Sequence, residues 1–208
     1  MKKIDYLAYS LIILVMIVGI KMVVDSDFFQ LRCIYSDIDG HKYCVRERTK
    51  LKLAANKLAQ VRSNLDKLVA KCQETKSDMP QIQRLLKNYN PKKICETLPT
   101  SEYTAYSENK GEKLAFCLDT EKNNQGKLID TNTLTFVAIH EIAHVATKSI
   151  GHTKEFWDNF KLLLEVAVEE NIYTPIDYSK KPKRYCGMEI TDNPYYNDTD
   201  NSATHYDE

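Results

Sequence analysis

The 208-residue sequence has no excess of charge of either sign, because 29 Lys and Arg residues balance 29 Asp and Glu residues. Its formal net charge is zero, which excludes the general electrostatic attraction that draws basic proteins to nucleic acid. We therefore predict no nucleic-acid partner. The chain also lacks an internal repeat, and its length suits one ordinary domain with an appendage rather than two domains.

A Cys-x-x-Cys pair is also missing, although the chain has six cysteines. This absence argues against a structural zinc site made of thiolates, while disulfides stay open if the domain faces an oxidising compartment. Two short predicted strands, 31–36 and 41–46, flank an Asp-Gly turn. With a four-residue loop, Cys33 lies opposite Cys44, which suits a cross-strand disulfide; two free thiols fit the sequence equally well.

Long apolar runs are rare, and the one that is present covers residues 6–24, with no charge between 11 and 20. A helix of that length rises roughly 28 Å, close to the hydrocarbon thickness of a bilayer. We therefore predict a retained membrane anchor over 1–25 and a single-pass membrane protein. A cleaved signal peptide and a buried core helix are the alternatives. Lys2 and Lys3 precede the uncharged part, and Lys21 and Arg32 follow it, so the positive-inside rule gives almost no preference. A cytosolic N-terminus is favoured only because short anchors with a basic start usually insert that way.

The rest of the chain predicts an α+β fold in which helices dominate and the strands form short β-hairpins. Leu51, Leu58 and Leu65 recur every seven residues, which fits either an amphipathic helix on the chain's own core, the favoured interpretation, or helix-mediated self-association. The predicted elements are helix 48–72, a helix from Pro80 that Asn90-Pro91 ends, strands 104–107 and 113–118, a helix from Asp130 to about Ser149, and a helix from Thr153 to about Asn171.

The segment His140-Glu141-Ile142-Ala143-His144 carries the chemistry. Two histidines four residues apart lie one helical turn from each other, so both imidazoles can bind one zinc ion. Glu141 is turned so that its carboxylate can reach a water held by that ion and remove its proton as the water attacks a carbonyl. Apolar neighbours on both sides indicate a buried helix rather than a surface helix with two chance histidines.

A third ligand is expected at His152, because Gly151 permits a left-handed turn that returns the chain toward the metal. Three protein ligands and one open position are typical of a catalytic zinc site. Glu165 is the alternative, but it lies off the apolar face of its helix. His41 and His205 are predicted to have no role in the site. Oxyanion stabilisation is needed too, and the sequence does not choose among Tyr173, Tyr178 and Tyr185.

These motifs resemble a known family. The residues concerned are His140-Glu141-Ile142-Ala143-His144, Gly151-His152 and Glu155-Phe156-Trp157. They look like those of the zincin-like peptidases of the WLM and SprT group, and residues 39–196 resemble membrane-anchored metallopeptidases of large nucleocytoplasmic DNA viruses. The resemblance implies Zn²⁺ held by His140, His144 and His152, with Glu141 as the base. The cellular pattern has Gly-Pro-His-Asp with the third His closer to the motif, so substrate and DNA-repair roles are not carried over.

Combining motif and resemblance, we predict an anchor at 1–25, a hairpin and helical region at 26–95, a zincin-like core at 96–187 and an acidic flexible tail at 188–208. The predicted function is a membrane-anchored zinc peptidase of a host or virion membrane, acting on protein or peptide substrates. The alternatives are a catalytically silent zincin-fold structural protein of membrane or virion and a zinc hydrolase of a non-peptide substrate.

Overall fold

The computed structural model describes residues 2–24, 31–122 and 127–196, so the predicted bystander His205 and most of the predicted tail lie outside the described residues. The α+β class is confirmed. The elements are α1 (Lys2–Val24), β1 (Leu31–Tyr35), β2 (Lys42–Arg46), α2 (Leu51–Lys76), α3 (Pro80–Asn88), β3 (Ile94–Glu96), β4 (Ala105–Glu108), β5 (Lys113–Phe116), α4 (Thr131–Ala146), α5 (Lys154–Glu169), β6 (Lys183–Tyr185) and β7 (Met188–Ile190).

The first helix, α1, corrects the predicted membrane anchor. Across the described residues, none of the helices combines the length and the apolar character that crossing a bilayer requires. The part of α1 without polar, tyrosine or charged side chains is confined to 11–20, since Tyr9 and Ser10 precede it and Lys21 follows it. That stretch rises about 15 Å, roughly half of the hydrocarbon thickness. The predicted transmembrane helix and the predicted single-pass membrane localisation are therefore wrong.

The first hairpin has the predicted register. The backbone N–H of Ser36 donates to the carbonyl of His41 at 2.9 Å, and this closes the four-residue loop. Cys33 lies opposite Cys44 in the β1–β2 pair, and the two form a disulfide. Of the two alternatives that the sequence left open, the structure contains the cross-strand disulfide.

Helix α2 buries its heptad stripe in the protein's own core, as the amphipathic interpretation predicted. Leu58, Leu65 and Leu68 have no exposed surface. They belong to one apolar core that also includes side chains of α4 and α5, such as Ile139 and Leu163. That core joins the predicted region 26–95 to the predicted region 96–187.

The sheet beside α4 has the strand order β3–β5–β4, with β3 parallel and β4 antiparallel to the central strand β5. Strand β4 is thus at an edge of this sheet. Helix α4 begins where predicted, because the Asp130 carboxylate caps it by accepting from the Thr133 N–H at 2.8 Å. It ends at Ala146 rather than near Ser149, since Thr147 has extended backbone.

The hairpin β6–β7 was not predicted, and its second strand occupies the start of the predicted flexible tail. A disulfide between Cys117 and Cys186 ties this hairpin to the end of β5. The N–H of Cys186 donates to the Asp119 carbonyl at 3.0 Å, and the N–H of Gly187 donates to the Thr120 carbonyl at 2.9 Å. These bonds place β7 on the side of the molecule that carries the histidine motif.

Candidate metal centre

Helix α4 brings the two motif histidines together. Its apolar residues within and beside the motif, including Ile139, Ile142 and Ala143, are buried, so the helix cannot rotate without exposing its apolar faces. One helical turn separates His140 from His144, and their Nε2 atoms are 3.3 Å apart. The local spacing therefore produces a pair of imidazole nitrogens that point at one position.

The third histidine reaches the same position from the loop between α4 and α5. Gly151 has φ +80°, a left-handed conformation that L side chains rarely adopt, and it turns the chain back. Thr153 then caps α5 by accepting from the Phe156 N–H. As a result, His152 Nε2 lies 3.1 Å from His140 Nε2. The predicted set His140, His144 and His152 is thus brought together, with its ligand atoms within 4.8 Å of one another.

The distances from His140 Nε2 to the other two nitrogens fit tetrahedral zinc. Zinc binds imidazole nitrogen at about 2.0–2.1 Å, so two nitrogens of a tetrahedral site lie about 3.3–3.4 Å apart. The two distances that His140 Nε2 makes, 3.3 Å to His144 and 3.1 Å to His152, agree with this requirement. Neutral imidazole is a preferred zinc ligand, so the donor set is also suitable.

Aromatic packing holds all three rings. The Phe156 ring is stacked on His144 with centroids 4.2 Å apart, and it lies 4.8 Å from both His140 and His152. The Trp157 ring also lies beside His152, with ring centroids 5.6 Å apart. Burial lowers the pKa of His144 to about 4 and holds the pKa of His140 well below its usual value. The imidazoles are therefore neutral near pH 7, and their lone pairs are available to a cation.

Glu141, the predicted base, lies on the wall of a cavity beside the histidines and is 6% exposed. Burial raises the pKa of its carboxyl to about 8. A cation bound by the adjacent histidines would oppose this shift, because a nearby positive charge favours the ionised carboxylate. A carboxyl in these surroundings can exchange a proton near neutral pH, which is what a general base requires.

The cavity has a volume of about 220 Å³. His140, Glu141 and His152 lie on its wall, and the start of β4 and the strand β7 also border it. Most of the remaining wall is apolar and consists of Phe136, Val137, Trp157, Phe160, Met188, Ile190 and Pro194. An apolar cavity with a few converging polar groups is the usual form of a small-molecule or peptide-binding site.

Of the three tyrosines that the sequence left undecided, Tyr185 lies at this cavity. Its hydroxyl donates to the Thr104 carbonyl at 3.2 Å, and burial together with the nearby Glu141 holds its pKa well above the usual value, so it stays a proton donor. Tyr173 and Tyr178 pack against Phe136 in the core, with ring centroids at 5.7 and 4.9 Å. The neighbouring Cys186 was the one feature of the sequence that could have pointed to Tyr185. Its disulfide partner, Cys117, could not be predicted.

The other candidates lie away from the metal centre. Glu165 is exposed on α5, as its position off the apolar face indicated. His41 is exposed in the first hairpin, where its Nδ1 lies 3.0 Å from the Asp39 carbonyl. Within the described ranges, one cluster of three or more His, Cys, Asp or Glu side chains is suited to a metal ion, and it consists of His140, His144 and His152.

No family model and no solved structure matches the chain. Its sequence is similar to an uncharacterized protein of Acanthamoeba polyphaga mimivirus, 29% identical over 161 residues that cover 76% of this chain and 81% of that protein. It is also similar to uncharacterized proteins of Invertebrate iridescent virus 6, 37% identical over 76 residues (36% of this chain, 40% of that protein), and of Invertebrate iridescent virus 3, 43% identical over 61 residues (28% and 36%). These relatives agree with the predicted viral affiliation, and the resemblance to WLM and SprT peptidases stays a prediction.

Proposed function

We propose that the protein is a zinc-dependent peptidase in which His140, His144 and His152 hold the ion and Glu141 is the general base. The observation that carries this proposal is the convergence of three imidazole nitrogens, with those of His144 and His152 at 3.3 and 3.1 Å from His140 Nε2, beside a buried carboxyl group and a cavity. Three protein ligands leave a fourth position free, which is the arrangement of catalytic rather than structural zinc.

Each part of the cavity has a role in peptide hydrolysis. Zinc, when bound, would polarise the scissile carbonyl and acidify water. Glu141 takes the proton of the attacking water on its carboxylate and passes it to the leaving amine nitrogen. The hydroxyl of Tyr185 would turn its single proton from the Thr104 carbonyl to the developing oxyanion. The edge strand β4 borders the cavity and offers backbone groups with which an extended peptide can pair.

Zinc is expected to stabilise the folded protein. Metal analysis of the purified full chain should give about one zinc per chain, because the donor set forms a single site. Zinc at about 100 times its dissociation constant should raise the free energy of unfolding of the metal-free protein by about 2.7 kcal/mol. Urea unfolding with and without zinc measures this increase, and His140→Ala should abolish it. Intact protein that binds no zinc would contradict the proposal.

The cavity walls predict a substrate with a large apolar side chain next to the scissile bond. Full burial of a Leu-sized side chain contributes about 1.5–3 kcal/mol, which corresponds to about a 10- to 100-fold change in affinity. The zinc-binding compound 4-methylpentanehydroxamic acid should therefore bind the zinc-loaded protein at least about 10-fold more tightly than acetohydroxamic acid. Titration calorimetry measures both affinities. Equal affinities would contradict an apolar subsite, whereas no binding of either compound would count against the metal site itself.

A further inference from the structure

Apart from the contacts of its own ring with Phe156 and Trp157, the third ligand, His152, lies in a part of the chain with little packing. It belongs to the loop between α4 and α5, in which Ile150 is 90% exposed. A Cβ added to Gly151 would have no heavy atom within 4 Å. A ligand in such a loop needs another restraint if it is to stay within bonding distance of an ion.

We infer that Lys110 is a positioning residue for the metal centre: with Arg84 and Glu155, it fixes the loop that presents His152. This inference rests on the proposed function, since it assigns the three residues a role in zinc binding. Lys110 and Arg84 are distant from the histidines in sequence and lie outside the motif, whereas Glu155 belongs to the residues that carry the family resemblance but had no role assigned to it.

Lys110 uses its ammonium group to bind the end of α4. Its Nζ donates to the carbonyls of His144, Thr147 and Ser149 at 3.3, 3.0 and 2.7 Å. An ammonium has three donors, so all of them bind the segment that leads into the loop. A positive charge is also favourable at a helix C-terminus, where carbonyls lack partners within the helix.

The turn that carries Lys110 is itself rigid. Lys110 lies between β4 and β5 with φ 55°, and the N–H of Gly111 donates to the Glu108 carbonyl at 3.1 Å. A Cβ at Gly111 would lie 2.7 Å from the carbonyl oxygen of Asn88, so the turn lies directly against the end of α3. The ammonium is therefore presented from a fixed backbone.

Glu155 and Arg84 bind the other backbone groups of the same segment. The Glu155 carboxylate accepts from the N–H groups of Lys148 and Ser149, each at 3.1 Å, and from the Ser149 hydroxyl at 2.9 Å. Arg84 donates to the Ala146 carbonyl at 2.7 Å and to Glu155 at 3.0 Å. Ser149 is thus held through its carbonyl by Lys110 and through its N–H and hydroxyl by Glu155.

The far end of the loop is fixed as well, because Thr153 caps α5 and its Oγ1 lies 2.7 Å from Ser149 Oγ. Residues 150–152 therefore form a short arch between two anchored residues, and His152 is its last member. Release of Ser149 would let the arch swing outward, and the position of His152 Nε2 would no longer be set before the ion binds.

The test is the zinc affinity of the full-length protein, measured by competition with a chromogenic chelator. Lys110→Met removes the three donors and keeps most of the aliphatic stem. It should weaken zinc binding by about 10- to 100-fold, the usual cost of losing a group that orients a ligand. Lys93→Met is the matched control. Lys93 is exposed, and its Nζ lies 2.6 Å from a carboxylate oxygen of Glu112, which is in the same β4–β5 turn as Lys110. The zinc affinity of Lys93→Met should equal that of the wild type.

A double-mutant cycle separates this role from general destabilisation. If Lys110 acts through His152, then Lys110→Met should cause no further loss of zinc affinity in a His152→Ala background, because the ligand it positions is already absent. Additive losses would overturn the inference, and so would wild-type zinc affinity in Lys110→Met. If Lys110→Met does not fold, Glu155→Gln, which removes the charge and retains one acceptor, replaces it in the same cycle. A wild type without zinc affinity would instead refute the proposed function.

Discussion

Glu141→Gln is expected to retain zinc and the native fold while hydrolysing peptides about 10³-fold more slowly than the wild type. The two side chains have nearly the same shape, so the packing of α4 around this buried position should persist. An amide cannot accept a proton from the attacking water, and this is the step that the proposal assigns to Glu141. None of the three zinc ligands is altered, so metal content should remain at one ion per chain.

The measurement uses a mixture of unfolded casein peptides, with cleavage followed by mass spectrometry and zinc content determined on the same samples. Glu165→Gln is the matched control, because it makes the same chemical change on the exposed face of α5 and should leave cleavage unchanged. Hydrolysis by Glu141→Gln at the wild-type rate would exclude this residue as the base. Zinc binding without any cleavage by the wild type would favour a catalytically silent zincin scaffold.

The parts of the site that depend on local rules were predictable from the sequence. Helical geometry alone places His140 beside His144. The capping residues Asp130 and Thr153 mark the starts of α4 and α5. The position of Cys33 opposite Cys44 followed from a four-residue loop, although the sequence fitted a disulfide and two free thiols equally well. In each case, the interacting residues are separated by a few positions, so backbone geometry restricts the answer to one or two arrangements.

Contacts between distant segments were not predictable. Cys117 and Cys186 are separated by 69 positions, and only the folded chain shows that their disulfide places Tyr185 at the cavity. The carbonyls that Lys110 binds lie 34 to 39 residues further along the chain. The anchor prediction failed for a different reason: it counted the whole segment 6–24, whereas only 11–20 is free of Tyr, Ser and charged residues, and length decides whether a helix can cross a bilayer.

The identity of the third ligand gives the second large expected effect. Loss of a group that only orients a ligand weakens metal binding by about 10- to 100-fold. Because His152 is itself a ligand, His152→Ala should weaken zinc binding by more than this and should abolish peptide hydrolysis. His152 Nε2 is 3.1 Å from His140 Nε2, so its removal opens a second position on the ion. A site with two protein ligands holds neither the ion nor the substrate carbonyl in a defined geometry.

Glu165→Ala is the comparison that makes this prediction decisive. Glu165 is exposed on α5, so its loss should change stability by no more than about 0.5 kcal/mol and leave zinc affinity and cleavage unaltered. Isothermal titration of zinc into the metal-free variants measures both affinities directly. If His152→Ala bound zinc as the wild type does while Glu165→Ala did not, the third ligand would be a glutamate, as in thermolysin-like enzymes. The left-handed turn at Gly151 would then serve only to connect two helices, and the loop that Lys110 fixes would have no part in metal binding.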